Sequence, residues 1–301
     1  YSYMSNYFGN FSASNGNSTE GIFAYHATSG VAANNPGVNA RWMMGAHYNE
    51  FTAQAPNAGW NGFSTMGDFY KSFGVPTATD YSLKDTQLDT RIGRRVTSWP
   101  QTTINSGIRP GFLVGQQYDQ NGVALKDRKG GPLAFDPVIA DNMIETGTNL
   151  EVTGIRVFKY VPDFSDPTGK WYSSNSGNWM MLLRYPDVVL MVAEAYMREA
   201  TPDNAAALAL INDLRTARGA ATVASMPLVN PTNVDDPTTL LAERGRELYW
   251  ESVRRTDLIR FGVFNVLWQY KPSDASTYLL YPIPNQALSV NPNLKQNPGY
   301  N

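Results

Sequence analysis

Apolar positions recur with a regular period only in the C-terminal part of this chain. The stretch Asn178 to Ala220 reads as a strand feeding a helical hairpin. Pro186 at a first helical position, with Asp187 beside it, starts a helix in which Val189, Val192, Ala193 and Tyr196 fall at i, i+3, i+4 and i+7. Leu190, Met191 and Met197 extend the apolar surface to most other sides. A helix this apolar, and shorter than the ~18 residues that read as a bilayer span, is expected to be a central core helix surrounded by protein. Thr201 as N-cap and Pro202 at the first helical position open its partner, Ala207, Leu210, Ile211 and Leu214 form the stripe, and Arg215, Arg218 and Gly219 close it. A third helix is predicted from Pro237 to Phe261, with Asp236 as N-cap and Gly262 as the closing glycine. Its charges stand three or four residues apart: Glu251 with Arg254 and Arg255, Asp257 with Arg254 and Arg260, Arg244 with Glu247. They read as a salt-bridged solvated face or a partly buried ion-pair network rather than as a catalytic carboxylate pair. Gly245 costs this helix about 1 kcal/mol relative to Ala, which a close helix contact would offset. Tyr278 to Pro284 and Asn291 to Tyr300 form a proline-stiffened tail with no place for regular helix.

Upstream, the pattern breaks into short pieces. GIFAYH, Gly21 to His26, is a strand-like run; a short helix is expected from Ser64 to Phe73; extended pieces are expected around Gly111 to Gln117 and over Glu151 to Tyr160. Between them, RWMMGAHYNEF (Arg41 to Phe51) and GWNGF (Gly59 to Phe63) set aromatic residues among small polar ones, as loops that display rings. Pro162 to Asn178 is loop by composition. It marks a seam between a loop-rich, aromatic region, residues 1–175, and a helical region, residues 176–301, of one compact unit.

Composition narrows the function. A formal net charge of −2 and a pI near 5.8 give no basic surface for a phosphate backbone, so no nucleic acid partner is expected. The chain has no cysteine, which excludes disulfides, thiolate metal sites and cysteine nucleophiles. With 7 Trp and 17 Tyr, many in the front, the residues to explain are aromatic. Sugar rings present apolar C–H faces bordered by hydroxyls, so a neutral glycan site needs exposed flat rings with polar groups at their edges. Trp42, Tyr48, Trp60 and Phe63, with Arg41, Asn49 and Asn61 as polar neighbours, are the candidate ligand-binding platform. The competing reading for any single tryptophan is that it anchors its loop in the core. Trp250 and Trp268, near the third helix, are expected in the core, and Trp171 fits either role.

Catalytic and metal chemistry find little support. His26 and His47 are the only histidines, with no HExxH pair, and no GxSxG elbow occurs. No cofactor, metal or catalytic residue is expected. The loop Asp163 to Gly169 lacks the spaced acidic pattern of a calcium loop and reads as a turn. The main enzymatic rival is a glycosidase using two carboxylates among Asp68, Asp80, Asp85, Asp89, Glu145 and Glu151.

Four ordered motifs carry a family resemblance. A segment of the form RYaDvlLmyAEA is present as Arg184, Tyr185, Asp187, Leu190, Met191, Ala193, Glu194 and Ala195, followed by an iN.vR.rag element at Ile211, Asn212, Arg215 and Gly219. ER..EL.fEg.R..DL.RwG is matched by Glu243, Arg244, Glu247, Leu248, Glu251, Arg254, Asp257, Leu258, Arg260 and Gly262. The closing LLyPIP and NPnL.QNPGy are matched by Leu279 to Pro284 and Asn291 to Tyr300. In these the chain resembles the C-terminal part of a SusD/RagB-family protein, one of the surface glycan-binding lipoproteins of Gram-negative outer membranes. It departs at Ser252, where Gly is usual, at Phe261, where Trp is common, and at Gln286 and Ala287, where an acidic residue is frequent. The resemblance implies a mainly α fold with extensive loops, a few short strands and a tetratricopeptide-like hairpin over Pro186 to Gly219. It implies a trimmed or divided product, lacking the lipidated cysteine and the N-terminal helical half with which the family begins. It further implies a non-catalytic protein at the extracellular face of the outer membrane. Such a protein is held there by a lipid anchor outside this chain, binds oligosaccharide and delivers it to a TonB-dependent outer-membrane transporter. A peptide-binding or adaptor protein of the same fold is the other alternative.

Overall fold

The computed structural model describes residues 1–28, 39–51, 58–74, 89–93, 110–119, 122–138, 150–162, 176–268 and 271–300. In chain order, its regular elements are β1 (Gly21–Tyr25), α1 (Ala40–Met43), α2 (Gly67–Lys71), β2 (Gly111–Leu113), β3 (Gly115–Gln116), β4 (Ala134–Phe135), β5 (Arg156–Phe158), β6 (Met180–Arg184), α3 (Tyr185–Arg198), α4 (Asn204–Ala217), α5 (Leu240–Leu248), α6 (Arg254–Arg260) and α7 (Asn285–Val290). Helices and loops dominate and the strands are short, as expected.

The hairpin forms where the period places it. Pro186 sits in the first turn of α3, where its missing N–H removes no helical bond, and Asp187 lies beside it. Leu190 and Ala193 of α3 share one core cluster with Ala207, Ile211 and Leu214 of α4, and Val189 of α3 is buried. Two details differ. Asp203, not Thr201, caps α4, its carboxylate accepting the Ala206 N–H at 2.9 Å. The other correction is that α3 is not enclosed on every side, for Met191 and Val192 are 41% and 40% exposed on its outer face.

The third helix is broken in two. Thr239, not Asp236, caps α5 through its hydroxyl, while Asp236 holds the turn before it by accepting from the N–H and hydroxyl of Thr238. The chain then leaves the helical path before α6, with Trp250 at φ +60° and Ser252 at φ +68°. An L-residue in this left-handed region is strained, which explains why a glycine is usual at position 252 in the pattern the chain resembles. The C-terminal tail also corrects the expectation: its six residues Asn285–Val290, between the two proline-bearing motifs, form α7, and Ser276–Leu279 form a 3₁₀ turn.

In the front, β1 pairs antiparallel with β6, Gly21 opposite Arg184 and Tyr25 opposite Met180. β2 pairs with β5, and β3 with β4. The expected strands are shorter than their runs: Glu151 belongs to a 3₁₀ turn and only Arg156–Phe158 enters a ladder. Rings fill this half, with Tyr7, Phe11, Phe51, Tyr70, Phe112 and Phe158 in one cluster.

A buried ion-pair network joins the two halves. Glu247 receives Arg184 at 3.0 Å and Arg218 at 2.8 Å; both arginines also hold Glu20, and Arg184 holds Glu251. Arg91 pairs with Asp89 at 2.8 Å and with Glu243 at 2.7 Å. Of the local pairs expected along the third helix, Asp257 with Arg260 forms; Arg244 turns instead to Asp187 and Asp257, and Glu251 to Arg184 and Lys159. The charged stripe therefore faces inward and is more deeply buried than a surface reading allows.

Candidate functional site

The GWNGF motif works as a backbone clamp. The N–H groups of Trp60 and Asn61 donate to the carbonyls of Met43 and Ala46, and those of Gly62 and Phe63 both donate to Met44, at 2.8–3.0 Å, tying the loop across the end of α1. Gly59 is required here, since a Cβ would collide with the His47 carbonyl oxygen. Asn61 takes φ +48°; its Oδ1 accepts from Arg156 Nε and Nη2 at 3.1 and 2.9 Å, and its Nδ2 donates to the Glu151 carbonyl at 2.9 Å. The loop backbone is thereby fixed, and its rings stand outside the core. Trp60 is 46% and Phe63 55% exposed.

The predicted platform is thus partly assembled and partly dismantled. Trp42 is a correction: α1 turns it into the ring-filled core, where it is fully buried and no face is left for a ligand. Tyr48 is half-buried with the Arg128 guanidinium over its ring at 3.9 Å, so that face is already covered. The Asn49 and Asn61 amides are engaged by the protein itself, Asn49 Nδ2 donating to the Lys126 carbonyl at 2.8 Å. Arg41 does join Phe63. It donates to the Trp250 carbonyl at 2.9 Å and the Ser252 hydroxyl at 3.0 Å, and Phe63 meets Trp250 edge to face with ring centroids 6.2 Å apart.

Trp250 packs against the front core, as expected, and also turns part of its ring to a cleft that was not expected. It is half-buried, and with Trp268 it lines a cleft of about 520 Å³ opening behind Phe63, flanked by Arg41, Arg244 and Arg254. Volumes of roughly 300–1,000 Å³ are usual for ligand sites. The signal available in the sequence was the bend position Ser252, because a residue forced into the left-handed region re-aims its neighbours. Phe63, Arg41, Trp250 and this cleft make up the candidate site, with exposed Trp60 on the same loop but outside the cleft lining.

Of the carboxylates considered for hydrolysis, Asp68, Asp89 and Glu151 are each engaged by a cation and fall among the described residues. Asp80, Asp85, Glu145, Trp171 and the loop Asp163 to Gly169 lie outside them. Asp89 is held by Arg91, and exposed Asp68 by Lys71 at 3.3 Å. Burial alone would raise the Glu151 carboxyl, but hydrogen bonds from the Arg128 backbone and guanidinium and from His47 outweigh it and hold the group down at about 2. Glu50 is pushed up to about 8 by burial, only partly opposed by the His47 N–H and Arg156, and is sealed from any substrate. No group of three or more His, Asp or Glu that could hold a metal occurs among the described residues. None of the described helices is long and apolar enough to cross a membrane.

Comparison with known proteins fits the motifs to this geometry, for the SusD family model matches residues 14–278. The chain belongs to the SusD family. It is 34% identical over 151 residues to the starch-binding protein SusD of Bacteroides thetaiotaomicron, an alignment covering 44% of this chain and 25% of that protein. A SusD superfamily protein from Parabacteroides distasonis superposes with a TM-score of 0.56 at 18% identity, covering 100% of this chain and 54% of the other. A laminarin-binding SusD-like protein gives a TM-score of 0.56 at 19% identity over the same shares of both chains. This SusD-family chain thus spans about half the length of the solved structures it matches. Its family motifs supply the buried network, for Arg184, Glu243, Glu247 and Glu251 all belong to them, and two further motif residues, Arg244 and Arg254, line the cleft.

Proposed function

We propose that this chain is the ligand-facing part of a non-catalytic, cell-surface glycan-binding protein. It binds oligosaccharide and delivers it to a TonB-dependent outer-membrane transporter from the extracellular face of the outer membrane, to which a lipid anchor outside this chain holds it. The observation that supports this most is the pair of rings, Trp60 and Phe63, held out to solvent by a loop that is hydrogen-bonded in place. An immobilised ring loses little conformational entropy on binding, so its stacking on a sugar C–H face goes largely into affinity. Arg41 stands at the edge of this surface with donors for ring hydroxyls. The starch-binding and laminarin-binding relatives support the ligand class.

The test is retention in affinity gels containing starch, laminarin and other polysaccharides. Trp60→Ala and Phe63→Ala should each weaken binding by about tenfold or less, with an unchanged melting temperature, as expected for exposed stacking rings. Unaltered retention in both variants would remove the platform. Release of reducing sugar from any of these polymers, abolished by Asp235→Asn in the cleft, would instead establish a hydrolase.

A further inference from the structure

The cleft behind Phe63 carries a chemistry that neutral sugars do not use. Four buried polar side-chain atoms lack a hydrogen-bond partner among the described residues, and two of them, Arg244 Nη1 and Trp268 Nε1, belong to residues lining this one cleft. Arg244 is only 2% exposed, with its Nε on Asp257 at 2.9 Å and its Nη2 on Asp187 at 2.8 Å, so the remaining nitrogen is a fixed donor without an acceptor. Arginine and indole nitrogens donate and never accept, and buried donors left unmatched are rare. An acceptor brought into the cleft would answer both.

Charge points the same way. Arg41 and Arg254 enter no ion pair among the described residues; they donate to neutral groups, Arg254 to the Leu241 carbonyl at 2.7 Å. Of the two carboxylates on the cleft wall, Asp257 is held by Arg244 and Arg260 and Asp235 faces Arg254, so the lining carries three guanidiniums to two carboxylates. Gly245 keeps the space open. A Cβ there would stand 3.2 Å from Arg254 Nη1 and 3.6 Å from the Phe69 ring, in the middle of a helix where alanine would otherwise be favoured.

We propose that this cleft receives a carboxylate-bearing sugar, its acid group bound by Arg254 and the unmatched donors of Arg244 and Trp268, its ring against Trp250 and Phe63. The inference rests on the glycan-binding reading and adds that the preferred glycan is acidic. A carboxylate is the acceptor best matched to guanidinium forks, and charge-assisted bonds in a recess of low polarity are the strong ones.

Two measurements test it. In affinity gels, polygalacturonate and alginate are each compared with the same polymer after chemical reduction of its carboxyl groups. The acidic form should bind on the order of tenfold more tightly, and Arg254→Gln should abolish the preference while Trp60→Ala lowers both forms alike. In ¹⁵N-resolved NMR of the full chain, free glucuronate but not glucose should shift the indole N–H resonance of Trp268, identified by its loss in Trp268→Phe. Equal binding of acidic and reduced polymers with an unmoved Trp268 resonance overturns the acidic preference and leaves the glycan reading intact. A Trp268 shift with glucuronate, when no polymer is retained, keeps the carboxylate site and sinks the polysaccharide reading. If Arg254→Gln fails to fold, Trp268→Phe carries the test, with a several-fold loss of the acidic preference expected.

Discussion

The two halves of this protein are packed by different means. In the back, aliphatic side chains such as Leu190, Ile211, Leu214, Leu240 and Leu258 fill the space between helices. In the front, rings such as Phe112 do so, its ring 5.1 Å from Tyr249 and 5.3 Å from Phe73, with strands of two to five residues between loops. Helices satisfy their own backbone and need only a greasy stripe. Loops leave backbone groups to be satisfied one by one and few side chains per residue to bury, so each buried residue has to be large. The same requirement leaves rings on the outside: a front built of Trp, Tyr and Phe displays some of them, and Trp60 and Phe63 are the ones that the clamp holds out.

Buried ion pairs join the halves alongside ring contacts such as Phe112 with Tyr249, and breaking the ion pairs should have the largest effect. Glu247→Ala leaves the buried guanidiniums of Arg184 and Arg218 sharing Glu20, with Glu251 still on Arg184 but no second carboxylate on Arg218. Removing one partner of a buried ion pair costs about 3–5 kcal/mol, and here two arginines each lose one of their carboxylates, so the variant should be strongly destabilised. Circular dichroism with denaturant titration checks this. A variant that unfolds within 1 kcal/mol of the parent would mean that the halves are held together by packing alone.

The next test sets the cores against each other. Phe112→Ala in the front should cost about 3–5 kcal/mol and Leu190→Ala in the back about 2–5 kcal/mol. Both side chains are fully buried. If the network makes one cooperative unit of the two halves, each variant gives a single unfolding transition seen equally by near- and far-UV signals. Two separated transitions would show that the halves melt independently.

These interactions also decide what the sequence could reveal. The hairpin was readable because a period of 3.6 residues is a local property, and so was the display of Trp60 and Phe63, flagged by glycines on either side. Trp42 was not, since α1 spans only four residues and no period tells which of them turns inward. The charges of the third helix invited local pairing at three and four residues. Their true partners lie far along the chain, as Glu243 reaches Arg91 and Glu247 reaches Arg184, and no spacing rule sees such pairs. The cleft was hidden for the same reason: it arises from the bend at Trp250 to Ser252, where two residues adopt a conformation that their identities disfavour.

Acid and alkali should act on opposite halves. Burial would raise the Glu247 carboxyl, yet Arg218 and Arg184 outweigh it and hold it down at about 2. A depressed carboxyl stabilises the fold above its unfolded value near 4.5, and that stability is lost as pH falls towards 2. Glu50 in the front is the reverse, raised by burial to about 8. Its contribution is fully present below about pH 4.5 and declines as pH rises towards 8, because the unfolded chain releases the proton that the folded one keeps. The melting temperature of the parent relative to Glu50→Gln, which cannot ionise, should therefore fall between about pH 5 and 8. Parallel curves would show that Glu50 ionises freely in the folded protein.

The smallest effect probes the bend where the halves meet. Ser252 pays the steric cost of φ +68°, about 1–2 kcal/mol for an L-residue, and its hydroxyl accepts from Arg41 Nη2 at 3.0 Å. Ser252→Gly removes the strain, loses one exposed hydrogen bond and makes the unfolded chain more flexible, so the three terms nearly cancel and a net gain of about 0.5 kcal/mol is expected. Function should move more than stability. Arg41 keeps its bond to the Trp250 carbonyl but loses the tether that fixes its outer nitrogen at the mouth of the cleft, so glycan retention should weaken about two- to threefold as the protein becomes slightly more stable. A loss of stability without a change in retention would mean that the serine serves the scaffold and that Arg41 needs no positioning from it.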